Sequence, residues 1–143
     1  MSARTLYRSA SVLFVLFAVG HTFGFLRFRP PSPEALAVRE AMTNVHFQVG
    51  HATFTYGGFY TGFGLYITLY MLFSAVLAWQ LGDMAMNAPQ SVKTLGWTFF
   101  GVQIAGLILS LAYFSVGPAL LSGVVAACLG GAALNTKVNE KFA

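Results

Sequence analysis

Three histidines are the residues of this chain whose possible chemistry is easiest to name. A neutral imidazole is a common metal ligand, and two of them on facing helices can ligate a b-type haem. His46 and His51 are five residues apart, about 140° around a helix, so they do not share one ligand. The pair that haem would need is therefore His21 with His51, or with His46 as the substitute. The alternative is a neutral histidine hydrogen-bonded to a nearby side chain or carbonyl, and the cofactor, if there is one, stays unknown.

Polar side chains recur at steps of three and four residues after Pro33. They are Glu40, Asn44, Gln48, His51 and Thr55. An apolar row has the same spacing: Val38, Met42, Val45 and Val49. Two such rows predict an amphipathic helix over about residues 33–56, too polar to span a membrane and placed at its interface or capping a bundle. Its polar stripe is a candidate lining for a binding pocket.

Aromatic residues form a stripe in the segment that follows. The stripe is Phe59, Phe63, Tyr66 and Tyr70, with Tyr56 and Tyr60 beside it. One interpretation is packing and anchoring at the membrane interface. The other is the wall of a pocket for a flat or long apolar molecule. The predicted ligand pocket combines these sets: His21, Asn44, Gln48, His51, Thr55, Tyr56, Tyr60, Phe63 and Gln103.

Catalytic motifs are missing from the sequence. It contains no His-Glu-x-x-His, no Cys-x-x-Cys, no glycine-rich phosphate loop and no recognisable Ser-His-Asp arrangement. The apolar segments contain no carboxylate, the usual mark of an ion or proton pathway. These features leave enzyme activity open but favour a protein without one, and they count against a pump or an ion-coupled transporter.

The elements that must position these residues are membrane spans. The chain is 57% hydrophobic, 15% aromatic and only 8% charged, with charge-free tracts over residues 9–26, 41–82 and 94–136. Such tracts cannot form the surface of a soluble protein, whereas about 20 apolar residues cross a bilayer. We therefore predict an all-α integral membrane four-helix bundle, one transmembrane domain over residues 1–143, plus the amphipathic helix after the first span. The predicted spans are about 9–26, 59–81, 95–114 and 119–134, with a loop over residues 82–93.

Lysine and arginine positions predict the orientation of these spans. With the N-terminus inside, the cytoplasmic side receives Arg4, Arg8, Lys93, Lys137 and Lys141. The outer side receives Arg27, Arg29 and Arg39. Both termini are therefore expected in the cytoplasm. The basic residues are scattered, so we expect contact with membrane lipids and no nucleic-acid binding.

Small residues four apart are candidates for close helix packing. They are Gly20, Gly24, Gly58, Gly62, Ala127 and Gly131. Gly82 lies in the predicted loop, where a larger residue should have little effect. At the start of the amphipathic helix, Ser32 is a capping residue, Pro33 suits the first helical position and Glu34 faces the positive end of the helix dipole.

The run Phe59-Tyr60-Thr61-Gly62-Phe63-Gly64-Leu65 follows a polar helix, and Gly20-His21-Thr22 lies in the first span. With this pattern, about half of the chain resembles a family of bacterial four-helix membrane proteins that has no established activity. The four-span layout is more distantly similar to DoxX-like proteins, some of which associate with quinone-linked oxidases. The resemblance implies the fold and a place in the bacterial inner membrane.

Three functions fit these expectations. The first is a membrane binding or accessory protein with an outer-side polar and aromatic pocket for a lipid-like or quinone-like ligand. The second is a redox subunit with haem on His21 and His51. The third is a structural subunit that packs against other subunits of a larger membrane complex.

Overall fold

Four long helices dominate the computed structural model, which describes residues 1–137. They are α1 (Ala3–Arg27), α3 (Tyr56–Asn87), α4 (Pro89–Tyr113) and α5 (Val116–Asn135). Between α1 and α3 come a short helix, α2 (Pro33–Asn44), and a hairpin of strands β1 (His46–Val49) and β2 (Ala52–Thr55). Each of the four long helices is long and apolar enough to cross a membrane. The all-α class is thus confirmed, while the single domain over residues 1–143 stays a prediction. Lys141 lies outside the described residues.

The long helices extend beyond the predicted spans. The predicted loop over residues 82–93 is wrong, because α3 continues to Asn87 and α4 begins at Pro89. Proline disfavours a helical conformation in the residue before it, and Ala88 has φ −142°. The next break lies at Ser115, so Gly117 and Pro118 belong to the first turn of α5, where proline is tolerated.

Helix α2 begins as its sequence predicts. The Ser32 hydroxyl accepts a hydrogen bond from the Ala35 amide at 3.2 Å, and Pro33 occupies the first turn. Hydrogen bonds from the backbone amide of Glu34 and from the Ser32 hydroxyl hold the pKa of the Glu34 carboxyl below its usual value. These contacts satisfy amides that a helix start leaves without partners.

The helix predicted to continue to residue 56 is wrong, because α2 ends at Asn44 and residues 46–55 form the hairpin. Phe47 pairs with Phe54 across the two strands, and their rings are 6.2 Å apart. The two-residue turn holds Gly50 at φ 62°, which glycine adopts without strain. Aromatic and β-branched residues around a glycine favour strands, a second local pattern beside the helical spacing of the polar row.

The described part of the chain folds as two compact units, residues 1–17 with 72–137 and residues 18–71. The first unit, as far as residue 137, contains the start of α1, the end of α3, and α4 with α5. Its core is a cluster of side chains that includes Tyr7, Phe14, Leu81, Phe99 and Leu129. The rings of Phe14 and Phe99 stack with centroids 5.6 Å apart. The second unit contains the end of α1, α2, the hairpin and the start of α3.

The glycines at close contacts are not the predicted ones. A Cβ built on Gly20, Gly24 or Gly62 meets nothing within 4 Å, so the prediction that they lie at helix contacts is wrong. Gly58 approaches only Thr55 of its own segment, and the Cβ built on Gly131 makes an ordinary 3.4 Å contact with Leu6.

Ala127 is exposed, so it does not serve the close packing predicted for it. Gly82 is buried in α3, with the Arg4 carbonyl 3.3 Å from its built Cβ, so its assignment to a tolerant loop is also wrong. Cβ atoms on Gly64 and Gly96 would overlap Phe25 and Tyr7. The four-residue spacing did not identify the contacting glycines, because it does not show which face of a helix meets a neighbouring helix.

Candidate functional site

His21 lies in a polar network that joins α1 to α3 in the second unit. Its Nε2 is 3.1 Å from the carbonyl oxygen of Gly64. A carbonyl oxygen only accepts hydrogen bonds, so Nε2–H is the donor and the imidazole is in the Nε2-protonated form. At the next residue of α1, the Thr22 hydroxyl donates to the Ala18 carbonyl at 2.7 Å and lies 2.9 Å from the Thr68 hydroxyl. The half-buried polar groups of this segment therefore satisfy one another.

Phe25 connects this network to the aromatic residues of α3. The His21 ring stacks on Phe25 with centroids 5.7 Å apart and planes 7° apart, and Phe25 lies 5.2 Å from Tyr60. The Phe25 ring fits over the backbone of Gly64, where a Cβ would occupy the same space. The missing side chain of Gly64 thus allows α1 and α3 to pack closely beside Phe25, and the Gly64 carbonyl holds His21 in place.

A second aromatic cluster lies between the hairpin and the first turn of α3. Phe47 has its ring centroid 4.8 Å from that of Tyr56 and 5.3 Å from that of Phe59, and Phe54 lies 5.6 Å from Phe59. Thr55 caps α3, because its hydroxyl accepts from the Gly58 amide at 3.0 Å. The hairpin is therefore fixed to α3 by ring packing and a helix cap.

An open cavity of about 670 Å³ lies in the second unit. Three elements line it: the end of α1 with the Pro30-Pro31 segment, one face of α2 and the first turns of α3. Its lining is mainly apolar: Phe25, Leu26, Phe28, Pro30, Pro31, Ala35, Val38, Arg39, Met42, Thr43, Gly57, Gly58, Tyr60 and Thr61. The volume lies within the range of ligand pockets, about 300–1,000 Å³.

The face that α2 presents to this cavity follows helical spacing. Ala35, Val38, Arg39 and Met42 are at steps of three and four and line it together. Close packing also holds α2 on α3, since a Cβ on Gly57 would meet the Met42 carbonyl oxygen at 3.2 Å. Helix α2 therefore forms one wall of the cavity, although none of its residues is fully buried.

Arginines line a second cavity, of about 600 Å³, next to the first. Its lining residues are Leu26, Arg27, Phe28, Arg29 and Arg39. Leu26, Phe28 and Arg39 line both cavities. An apolar space and a strongly cationic one thus share a border.

Of the predicted pocket residues, Tyr60 lines the first cavity and His21 reaches it only through Phe25. The prediction that one polar helical stripe lines a pocket is wrong, because Gln48 and His51 are exposed on the hairpin and Thr55 is a helix cap.

The other predicted residues lie outside this cavity. Asn44 ends α2 and is exposed, with its carbonyl oxygen 2.8 Å from His46 Nδ1. Tyr56 and Phe63 are 53% and 66% exposed and do not line it. Gln103 belongs to the first unit, where its amide donates to the Ser122 hydroxyl at 3.0 Å.

The described residues do not fit a bis-histidine haem site. The Nε2 of His21 donates to a carbonyl, its ring is stacked on Phe25, and His51 is exposed at the turn of the hairpin. Within residues 1–137, no three His, Cys, Asp or Glu side chains are grouped so as to hold a metal ion. His21 has the environment expected of a structural, hydrogen-bonded histidine.

Sequence reasoning missed most of the residues that line the cavity, among them Phe28, Ala35 and Arg39. The sequence did indicate this face of α2, because its apolar row includes Val38 and Met42, and both residues line the cavity. An amphipathic helix with no other partner needs a surface to cover. The arginines were assigned to orientation alone, because their convergence depends on the fold of residues 27–39.

No family model, curated protein or solved structure matches this chain. The family resemblance of the Phe59–Leu65 segment therefore stays a prediction.

Proposed function

We propose that this chain is a multi-pass membrane protein of the bacterial inner membrane that binds a lipid-like or quinone-like molecule. The four long helices form its membrane bundle, and both termini face the cytoplasm. Binding takes place in the 670 Å³ cavity of the second unit, on the outer side of the membrane. Its role is binding or accessory, with lipids and other membrane subunits as partners.

The apolar cavity under α2 is the observation that carries this proposal. A soluble metabolite would need several polar groups to fix it, whereas this lining offers mainly aliphatic and aromatic surface. The rings of Phe25 and Tyr60 suit a flat or chain-like apolar molecule, and Thr43 and Thr61 add hydroxyl groups. The side chains on the outside of α3 agree with a lipid environment, since Phe63, Leu69 and Phe73 are 61–66% exposed.

Filling the cavity tests the proposal. Ala35→Phe adds a ring to the cavity wall, whereas Ala37→Phe places the same ring at an exposed position of α2 that does not line it. Purified protein is exchanged into nanodiscs of phosphatidylcholine and phosphatidylglycerol with added decylubiquinone. Native mass spectrometry then counts the molecules that stay bound after release.

We expect the wild type and Ala37→Phe to retain lipid or quinone and Ala35→Phe to lose most of it. Which of the two molecules is retained identifies the ligand class. Equal retention by all three proteins, with all three folded, would contradict the proposal. The chain would then be best explained as a subunit whose helices pack in a larger complex.

A further inference from the structure

We propose that the arginine-lined cavity holds the head group of an anionic phospholipid, one of whose two acyl chains occupies the apolar cavity. This inference rests on the function proposed above and names the ligand class of the same site. The occupant is a lipid with a phosphate diester and a net negative charge, of which phosphatidylglycerol is the common bacterial example.

The positive charge of this cavity is not neutralised by the carboxylates of its own unit. Residues 18–71 contain three arginines, Arg27, Arg29 and Arg39, and two carboxylates, Glu34 and Glu40. Both carboxylates are exposed on α2, and neither lines the cavity. The salt bridges within residues 1–137 are those of Arg4 and Arg8 with Asp83, in the other unit. A pocket with this charge attracts an anion.

Two of the guanidinium groups are held in place by contacts that leave donors free. Arg39 donates one N–H, from Nη1, to the carbonyl oxygen of Phe28. Arg27 lies over the Phe23 ring at 5.3 Å from its centroid. A guanidinium has five N–H donors in a planar fork, which matches the oxygens of a phosphate group. Positioned arginines bind phosphate more readily than mobile ones, because less side-chain entropy is lost.

The two neighbouring cavities, one apolar and one lined by arginines, match the two parts of an amphiphile. Arg39 lines both cavities, with Val38 and Met42 on its apolar side and Arg27 and Arg29 on the other. A phospholipid has the same order, a charged head joined to a long apolar chain. A neutral quinone would leave the arginines without a partner, and a free phosphate would leave the apolar cavity unused.

The test compares lipid selectivity among charge variants. Wild-type protein is exchanged into nanodiscs with equal amounts of phosphatidylglycerol and phosphatidylcholine, and native mass spectrometry gives the ratio of the two retained lipids. Arg39→Gln and the double variant Arg27→Gln/Arg29→Gln remove charge from the cavity. Lys93→Gln removes one charge from the exposed start of α4 in the other unit and is the matched control.

We expect the wild type and Lys93→Gln to favour phosphatidylglycerol, and each removed arginine to reduce the preference roughly fivefold. Total retained lipid should stay unchanged in Arg27→Gln/Arg29→Gln, because neither residue lines the apolar cavity, whereas Arg39→Gln also changes that lining. Arg39→Lys keeps the charge but not the planar set of N–H donors, so it should preserve part of the preference for phosphatidylglycerol. A folded Arg39→Lys that keeps this part also shows that the lost preference of Arg39→Gln is not due to misfolding.

Equal retention of the two lipids by the wild type would overturn this inference and leave the proposed function standing. Loss of both lipids in Ala35→Phe, with loss of preference alone in Arg27→Gln/Arg29→Gln, would support both. Complete displacement of phosphatidylglycerol by excess inorganic phosphate would also overturn the inference, since the site would then bind the anion without the chain.

Discussion

At the scale of single residues, Gly64 is the glycine of the second unit at which an added side chain would overlap its neighbours most. Its missing side chain makes room for Phe25, and its carbonyl accepts from His21. Phe25 cannot easily move away, because His21 stacks on it and Tyr60 packs at 5.2 Å. By making room for Phe25 and accepting the hydrogen bond of His21, Gly64 holds α1 against α3 next to the apolar cavity.

Gly64→Ala should therefore destabilise the protein, and Gly62→Ala should not. The added methyl group at Gly64 displaces the Phe25 ring, an overpacking effect of about 1–3 kcal/mol. At Gly62 the same group meets open space and raises helix propensity, a gain of up to about 1 kcal/mol. Thermal unfolding in detergent micelles measures both, and equal shifts for the two variants would contradict the assignment.

These two glycines also show what sequence spacing reveals. Gly58 and Gly62 are four apart and predict a packing face, yet Gly64, about 200° around the helix from Gly62, makes the close contact. Spacing identifies a helix with room for close approach. The face that meets another helix depends on the rotation of α3 in the fold, which no local pattern in the sequence contains.

At the scale of elements, the hairpin is the feature that distinguishes the structure most clearly from its sequence-based expectation. Residues 46–55 carry a helical polar row and also an aromatic pair, Phe47 and Phe54, that match across two strands. Both patterns are local, and the packing of Phe47 on Tyr56 and Phe59 decides between them. By contrast, Ser32-Pro33-Glu34 could be assigned correctly because a helix cap depends on neighbouring residues alone.

The substitution Gly50→Ala distinguishes hairpin from helix by the sign of its effect. In the hairpin, Gly50 has φ 62°, and alanine in that conformation costs roughly 1–2 kcal/mol. In a continuous helix, the same change would stabilise by up to about 1 kcal/mol. Hydrogen exchange of the amides of residues 46–55 measures the effect locally. Gly50→Asn is the control, because asparagine adopts positive φ more easily than alanine. Slower exchange of these amides in Gly50→Ala than in the wild type would refute the hairpin.

At the scale of the whole molecule, the ends of the helices in the first unit agree with the even number of membrane crossings that we propose. Arg4 and Arg8, at the start of α1, donate to Asp83 near the end of α3 at 3.0 and 2.9 Å. Tyr7 fits over Gly96 near the start of α4, and Leu6 lies beside Gly131 near the end of α5. The start of α1 and the end of α5 therefore lie together in this unit, as an even number of crossings requires.

The proposed topology places the side that carries Arg4, Arg8, Lys93 and Lys137 in the cytoplasm, an orientation that the contacts between helix ends do not test. Cysteine labelling tests it, because Cys128 is the single natural cysteine and Cys128→Ser removes the background. New thiols are then introduced by His51→Cys, at the exposed turn of the hairpin, and by Gln90→Cys, in the exposed first turn of α4. Neither change removes a lysine or arginine that contributes to orientation.

We expect a membrane-impermeant maleimide to label His51→Cys in intact cells and to label Gln90→Cys only after the membrane is permeabilised. A fluorescent reporter that folds only in the cytoplasm, fused after Ala143, should be active, although that residue lies outside the described part of the chain. Labelling of both thiols from outside would refute four spans. Reversed labelling would keep the spans and invert the orientation, and it would place the arginine-lined cavity at the cytoplasmic leaflet, where anionic lipids are also abundant.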